Sequence, residues 1–178
     1  MHDRNGPRRV HESGKATGSR AVNLIGYRCG THAGLTAGLF GTEGEGLYVA
    51  TTPELAEEFY VSPDSIRYTL RVTLQNALYV AGYTVSEILN DTENNVIEQP
   101  PSALDDQWLA AHKQAFALMK DEPWDEGRFN HLLTAVLKRW GYDGVYFDGP
   151  GDGSYSWVVV FDPKNARVVA TSQGKWEK

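Results

Sequence analysis

Arg28 is the first residue whose setting invites chemistry. It stands between Tyr27 and Gly30, where an extended run gives way to a turn. A guanidinium there offers a planar fork that grips a phosphate or a ribose, and Gly30 lets backbone amides approach the same anion. The competing reading is a surface arginine paired with a carboxylate. Tyr48 is the second candidate. In the short run 46–50, an inward tyrosine presents a flat face for a planar ring to stack on, or else it is a core tyrosine. The third is the passage Gly149-Pro150-Gly151-Asp152-Gly153-Ser154. A glycine-loaded loop before an apolar strand reads as a lid or substrate-facing element, with a plain hairpin connection as the alternative.

Other reactive types lack companions. Cys29 and His32 could form a nucleophile and base, but no third orienting group is visible, so Cys29 reads as a small half-buried thiol. His112 and His131 fall on different helices without ligand spacing, which argues against a metal. There is no GxGxxG and no P-loop.

The elements that must position these residues are legible from period and caps. Residues 24–28 and 46–50 read as short strands. Thr52 caps a helix that opens at Pro53, with Glu54, Glu57 and Glu58 near its positive end. The clearest strand is 66–74, where Ile66, Tyr68, Leu70, Val72 and Leu74 alternate with Arg67, Thr69, Arg71 and Thr73. Extended chain continues over 77–80. Ser102 and Asp105 make a capping-box-like start to a helix carrying Leu104, Trp108, Leu109, Ala115, Phe116 and Met119. A second helix starts near Asp125 and bears Phe129, Leu132, Leu133, Val136, Leu137 and Trp140 on one stripe. Lys138 and Arg139 lie in its last turn, and Gly141 stops it. Extended runs follow at 144–148, 157–161 and 166–170, with a turn at Asp162-Pro163. Strands that flank a helical middle predict α+β rather than a doubly wound sheet.

The chain has 178 residues, 41% hydrophobic and 22% charged, which suits one globular domain. A net charge of −6 argues against a surface that coats nucleic acid. No apolar run nears the roughly 20 residues of a membrane helix. The first residues are basic without an apolar core, so they are not read as a Sec signal. Residues 1–21 read as a disordered leader that would suit export by a dedicated machine, and 22–178 as a single domain. A single cysteine makes no intrachain disulfide. Residence in the cytoplasm of a producer or of a target cell is the expectation.

From about Leu24 to Val169 the order of pieces resembles the bacterial mono-ADP-ribosyltransferase superfamily. Tyr27-Arg28-Cys29-Gly30-Thr31 is similar to its short Y-R/H-G-T context with one residue inserted. Gly46-Leu47-Tyr48-Val49-Ala50, followed by Pro53-Glu54-Leu55-Ala56 and Tyr60, is similar to its Gly-aromatic strand and helix. The distal WGYDGVYFDGPGDGSYSWVVVFDP resembles phage and effector members that end in YVVFDP. The resemblance implies a split antiparallel β-sandwich with a helical middle segment, and NAD as the substrate. It implies that Arg28 holds the ribose or phosphates, that Gly30 and Thr31 shape the adenosine side, and that Tyr48 and Tyr60 clamp the nicotinamide. ADP-ribose would then pass to a target protein of a toxin or effector. An antitoxin, immunity protein or chaperone would be a possible partner.

One departure is plain. The family's glutamate at the start of the penultimate strand falls here on Trp157, or on Ser156 after a one-residue slip. The nearest carboxylates are Asp148 and Asp152, and Asp148 is preferred because a strand end holds a side chain better than a glycine loop. The missing glutamate keeps two alternatives open: a catalytically inactive module that binds a nucleotide or protein, and a glycohydrolase that passes ADP-ribose to water.

Overall fold

The longest alternating run in the chain becomes the strand that organises the rest. Strand β3 spans Ile66–Ala81, and along its first half Leu70, Val72 and Leu74 are wholly buried while Arg71 and Thr73 face solvent. Past Leu74 the period slips. Strand β1, Ser19–Gly30, pairs Val22 with Leu74 but Arg20 with Ala77, so β3 holds one extra residue there. This is a bulge, and a bulge leaves amides to satisfy. The Asp143 carboxylate accepts from the amides of Gln75 at 2.6 Å and Asn76 at 3.1 Å. The Asp143 amide in turn donates to the Asn76 carbonyl at 3.2 Å. The computed structural model describes residues 19–30, 44–59, 65–81, 106–119, 123–149 and 156–173.

The bulge lets one strand serve two layers. Strand β1 pairs antiparallel with β3 on both sides of it, and β6, Ala166–Gln173, pairs with β3 before it. After it, residues 77–81 pair with β4, Gly144–Asp148. Strand β5, Trp157–Val160, joins β4 to β2, Leu47–Ala50. The order is β1-β2-β5-β4-β3-β6, and β1 pairs with β3 as well as β2. Between the two layers lies a core of Leu47, Val49, Leu70, Val72, Leu74, Val158 and Val160.

The expected all-antiparallel pattern is corrected in one place, because β3 and β4 run parallel. Parallel neighbours need a crossover, and the helical middle supplies one. The sheet is therefore mixed. The chain is α+β as the order of elements indicated, with a six-stranded sheet and three helices among the described residues.

Helix α1, Pro53–Phe59, starts as its cap demands, with the Leu55 amide donating to Thr52 Oγ1 at 3.3 Å. Its Leu55 and Ala56 cover Cys29 and Ala50. Helices α2, Asp106–Met119, and α3, Glu126–Arg139, cover the other part of the sheet. Trp108, Ala115, Phe129, Leu133 and Leu137 meet Val80, Val145, Phe147 and Val159 there. At the start of α3 the Asp125 carboxylate accepts from the Arg128 amide at 2.6 Å. Gly141 ends it with φ of 91°, in the left-handed region.

Gly144 is demanded by close approach. A Cβ there would lie 2.6 Å from both Leu74 Cδ1 and the Val159 carbonyl. The run Gly141-Tyr142-Asp143-Gly144 therefore stops a helix, braces the bulge and lets β4 pass. Strand β1 begins at Ser19, inside the stretch read from sequence as leader, and β3 and β6 extend past their expected ends. The helix start at Ser102 to Asp105 lies outside the described residues.

Candidate functional site

Strand β1 places Arg28 by simple alternation. Leu24 packs into the core between the layers, and a Cβ on Gly26 would run into Val49 Cγ1, whereas Tyr27 and Cys29 pack beneath α1. Arg28 thus leaves its strand on the side of Leu24 and Gly26. Strands β1 and β2 share one registered pair, Tyr27 with Ala50. Next to that pair the Arg28 guanidinium crosses to β2 and donates from Nη1 to the Tyr48 carbonyl at 2.9 Å.

Tyr48 itself turns the other way. Its neighbours Leu47 and Val49 point into the inter-layer core, and its ring packs against the cluster under α2 and α3. The phenol donates to the Gly44 carbonyl at 2.5 Å. A Cβ on Gly44, which has φ of 105°, would lie 2.8 Å from Thr134 Oγ1. The tyrosine is thus tied to the chain segment leading into its own strand. The same side of the sheet carries Trp157, which stacks on Phe147 at 5.3 Å and packs against both the α1 cluster and the α2–α3 cluster. Half-buried Tyr27, Tyr48 and Trp157 together make an aromatic face between the helices.

Asp148 ends β4. Phe147 faces the helices, so Asp148 lies on the opposite face with Tyr146. Two donors hold it: the Tyr79 hydroxyl on Oδ2, and Ser156 Oγ on Oδ1 at 3.2 Å. The bond to Asp148, with burial and the nearby negative charge, pushes the Tyr79 phenol up to about 12. Tyr79 stacks on Tyr146 at 5.3 Å, and the Arg20 guanidinium lies 4.2 Å above its ring.

Ser156 is the residue that sequence reading undervalued. It is buried, it accepts the Gly149 amide at 3.3 Å, and its carbonyl receives both the Thr51 amide at 3.0 Å and the Thr51 hydroxyl at 2.7 Å. It therefore ties the end of β4 to the end of β2 across the start of β5. Its position directly before Trp157, where the expected glutamate falls after a one-residue slip, is the available signal. Neither Ser156 nor Trp157 supplies a carboxylate.

Of the other residues singled out from sequence, Gly30 closes β1, with Tyr68 Cε2 3.8 Å from where its Cβ would be. Thr31, Tyr60 and Asp152 lie outside the described residues. Cys29 is buried rather than half-buried, and burial pushes its thiol up. That is the wrong direction for a nucleophile. His112 is buried, its Nδ1 lies 2.9 Å from the Trp108 carbonyl, and burial lowers its pKa to about 4. Among the described residues no group of three histidine, cysteine or acidic side chains could hold a metal, and no helix is long and apolar enough to cross a membrane.

No protein-family model and no curated protein matches the chain. Two solved structures resemble it. One is the M. tuberculosis MbcT–MbcA toxin–antitoxin complex, at 15% identity and a TM-score of 0.47 over 88% of this chain and 87% of that one. The other is an anti-CRISPR protein, at 17% identity and a TM-score of 0.38 over 85% of this chain and 96% of that one. At such scores neither likeness decides an activity. What the described residues define is an α+β chain in which an arginine reaches the backbone carbonyl of a tyrosine beside a strand pair, while the ring of that tyrosine leaves from the other face of its strand.

Proposed function

We propose that this chain is an ADP-ribosyltransferase-fold toxin or effector that cleaves NAD and transfers ADP-ribose to a target protein. The observation that carries the reading is that Arg28 and Tyr48 stand next to each other beside the Tyr27–Ala50 pair, the guanidinium on the Tyr48 carbonyl and the Tyr48 ring on the other face of β2. In this reading Arg28 grips the ribose or phosphates, with Gly30 and Thr31 shaping the adenosine side. Tyr48 and Tyr60 hold the nicotinamide ring. The nicotinamide–ribose bond breaks heterolytically, and nicotinamide leaves with the electron pair. A nucleophilic side chain of the target then attacks the anomeric carbon and gives up its proton. Asp148 or Asp152 stabilises the positive charge that develops there. The acceptor is a protein, and an antitoxin or immunity protein is the natural restraint on such an activity.

A second reading has its own observation. Asp148 already receives two hydroxyl donors and lies on the face of β4 away from Tyr48's ring. That arrangement suits a module that binds a nucleotide or a partner without chemistry. One experiment separates the readings: incubation with NAD labelled on its adenine half, together with a cell lysate. A labelled protein band supports transfer, free labelled ADP-ribose indicates hydrolysis by water, and unchanged NAD leaves the binding module.

A further inference from the structure

The outer face of β3 carries an arrangement that folding alone does not favour. Arg71 is directly opposite Arg167 across the β3–β6 ladder, and Ile25 is opposite Arg71 on the β1 side. Like charges set directly opposite each other destabilise a sheet. Both arginines are exposed, and neither guanidinium has a carboxylate partner among the described residues. This occurs in a chain with 23 acidic side chains against 17 basic ones, so relief would have been easy to supply.

The surroundings say what would relieve it. Strand β6 is the last of the sheet, pairs with β3 alone among the described residues, and is exposed from Arg167 through Thr171. Its outer edge offers backbone donors and acceptors to an added strand on either side of a bulge at Val169, where Leu70 pairs with Val168 but Thr69 with Ala170. Beside the arginines, Ile25 and Val169 are 41% and 46% exposed, an apolar surround for a charge pair. We propose that this edge binds an extended acidic segment of a partner protein, with its carboxylates beside Arg167 and, one strand further in, Arg71.

Charge and composition single out that occupant. Strand β6 has the sequence ARVVATSQ, without an acidic residue, so a second copy pairing through the same edge brings no counter-charge. A nucleic acid needs a longer basic track than two arginines on a chain of net charge −6. An alternating apolar and acidic strand satisfies the edge amides and the guanidiniums together. The site is separate from the aromatic face beneath the helices and does not depend on NAD chemistry.

The test uses the full chain and a fluorescein-labelled peptide of alternating valine and glutamate. Its controls are the same peptide with lysine for glutamate, and a single-stranded oligonucleotide of equal charge. The expected result is binding of the glutamate peptide alone, with slowed hydrogen exchange at the β6 amides. Arg71→Glu and Arg167→Glu should each weaken it by about tenfold or more. Circular dichroism of each variant reports whether the fold survives, and Arg71→Gln with Arg167→Gln serves if charge reversal does not fold. Failure of the glutamate peptide to bind overturns the proposal and leaves the arginines as guards of a sheet edge. Equal binding of the oligonucleotide, binding without protection of β6, or a dimer that forms through β6 overturns it as well.

Discussion

The Arg28 guanidinium donates to the Tyr48 carbonyl at 2.9 Å, while the Tyr48 ring points to the opposite side of its strand and donates to Gly44. The arginine thus braces β2 from one side as the phenol braces it from the other. Replacing Arg28 with alanine removes at least this hydrogen bond, worth about 1 kcal/mol, and leaves the apolar core untouched. The expected outcome is loss of nicotinamide release from NAD with only a small fall in melting temperature. Release at the wild-type rate from a folded Arg28→Ala protein would end the transferase reading of this residue.

Asp148 and Ser156 make a second test possible, because their geometry predicts different signatures for chemistry and for bracing. Asp148→Asn keeps the size of the side chain but removes its charge. The Tyr79 phenol, held near 12, should then titrate closer to 10.0, as followed by ultraviolet absorbance. If nicotinamide release disappears in Asp148→Ala and persists in Asp152→Ala, Asp148 is the working carboxylate. Unchanged release in both variants removes both from the chemistry.

The Tyr79–Asp148 bond also sets an alkaline limit. The folded state holds the phenol proton more tightly than the unfolded chain, in which it leaves near 10.0. The associated stability is therefore complete below pH 10 and is lost as pH rises from about 10 to about 12. Denaturant titrations across that window should show a steeper fall for the wild type than for Tyr79→Phe.

His112 works in the opposite direction. Burial holds it neutral down to about pH 4, against an ordinary value of 6.5. Its contribution is present above 6.5 and is lost as pH falls through 6.5 toward 4, because the unfolded chain takes up the proton first. Protonation in the core costs on the order of 3 kcal/mol. His112→Leu should shift the acid-unfolding midpoint to lower pH, even if the protein is less stable at neutral pH. An unchanged acid limb would show that His112 does not govern it.

The bulge in β3 rests on Asp143. Asp143→Ala strips acceptors from the amides of Gln75 and Asn76 and should destabilise the fold by about 2–4 kcal/mol. Gly144→Ala forces a methyl against Leu74 and the Val159 carbonyl, at a cost of about 1–3 kcal/mol. Chemical denaturation measures both. A change below about 0.5 kcal/mol in either would mean that the two layers do not depend on this junction.

Local patterns were enough to determine much of this protein. Alternation marked the first half of β3, Thr52 and Asp125 marked two helix starts, and Gly141 marked a helix end, because caps and periods act through neighbours a few residues apart. The candidate arginine and tyrosine were legible for the same reason, as residue types in short turn-bounded runs. What no window of sequence contains is which side of β2 each would occupy, since that depends on which layers close over the strand. The parallel β3–β4 ladder, the Asp143 brace beneath the bulge and the Thr51–Ser156 bond that ties β2 to β5 join residues dozens of positions apart. Tertiary structure alone decided them: the crossover brings β4 beside β3, β5 comes to lie between β4 and β2, and the polar groups buried there must then find partners.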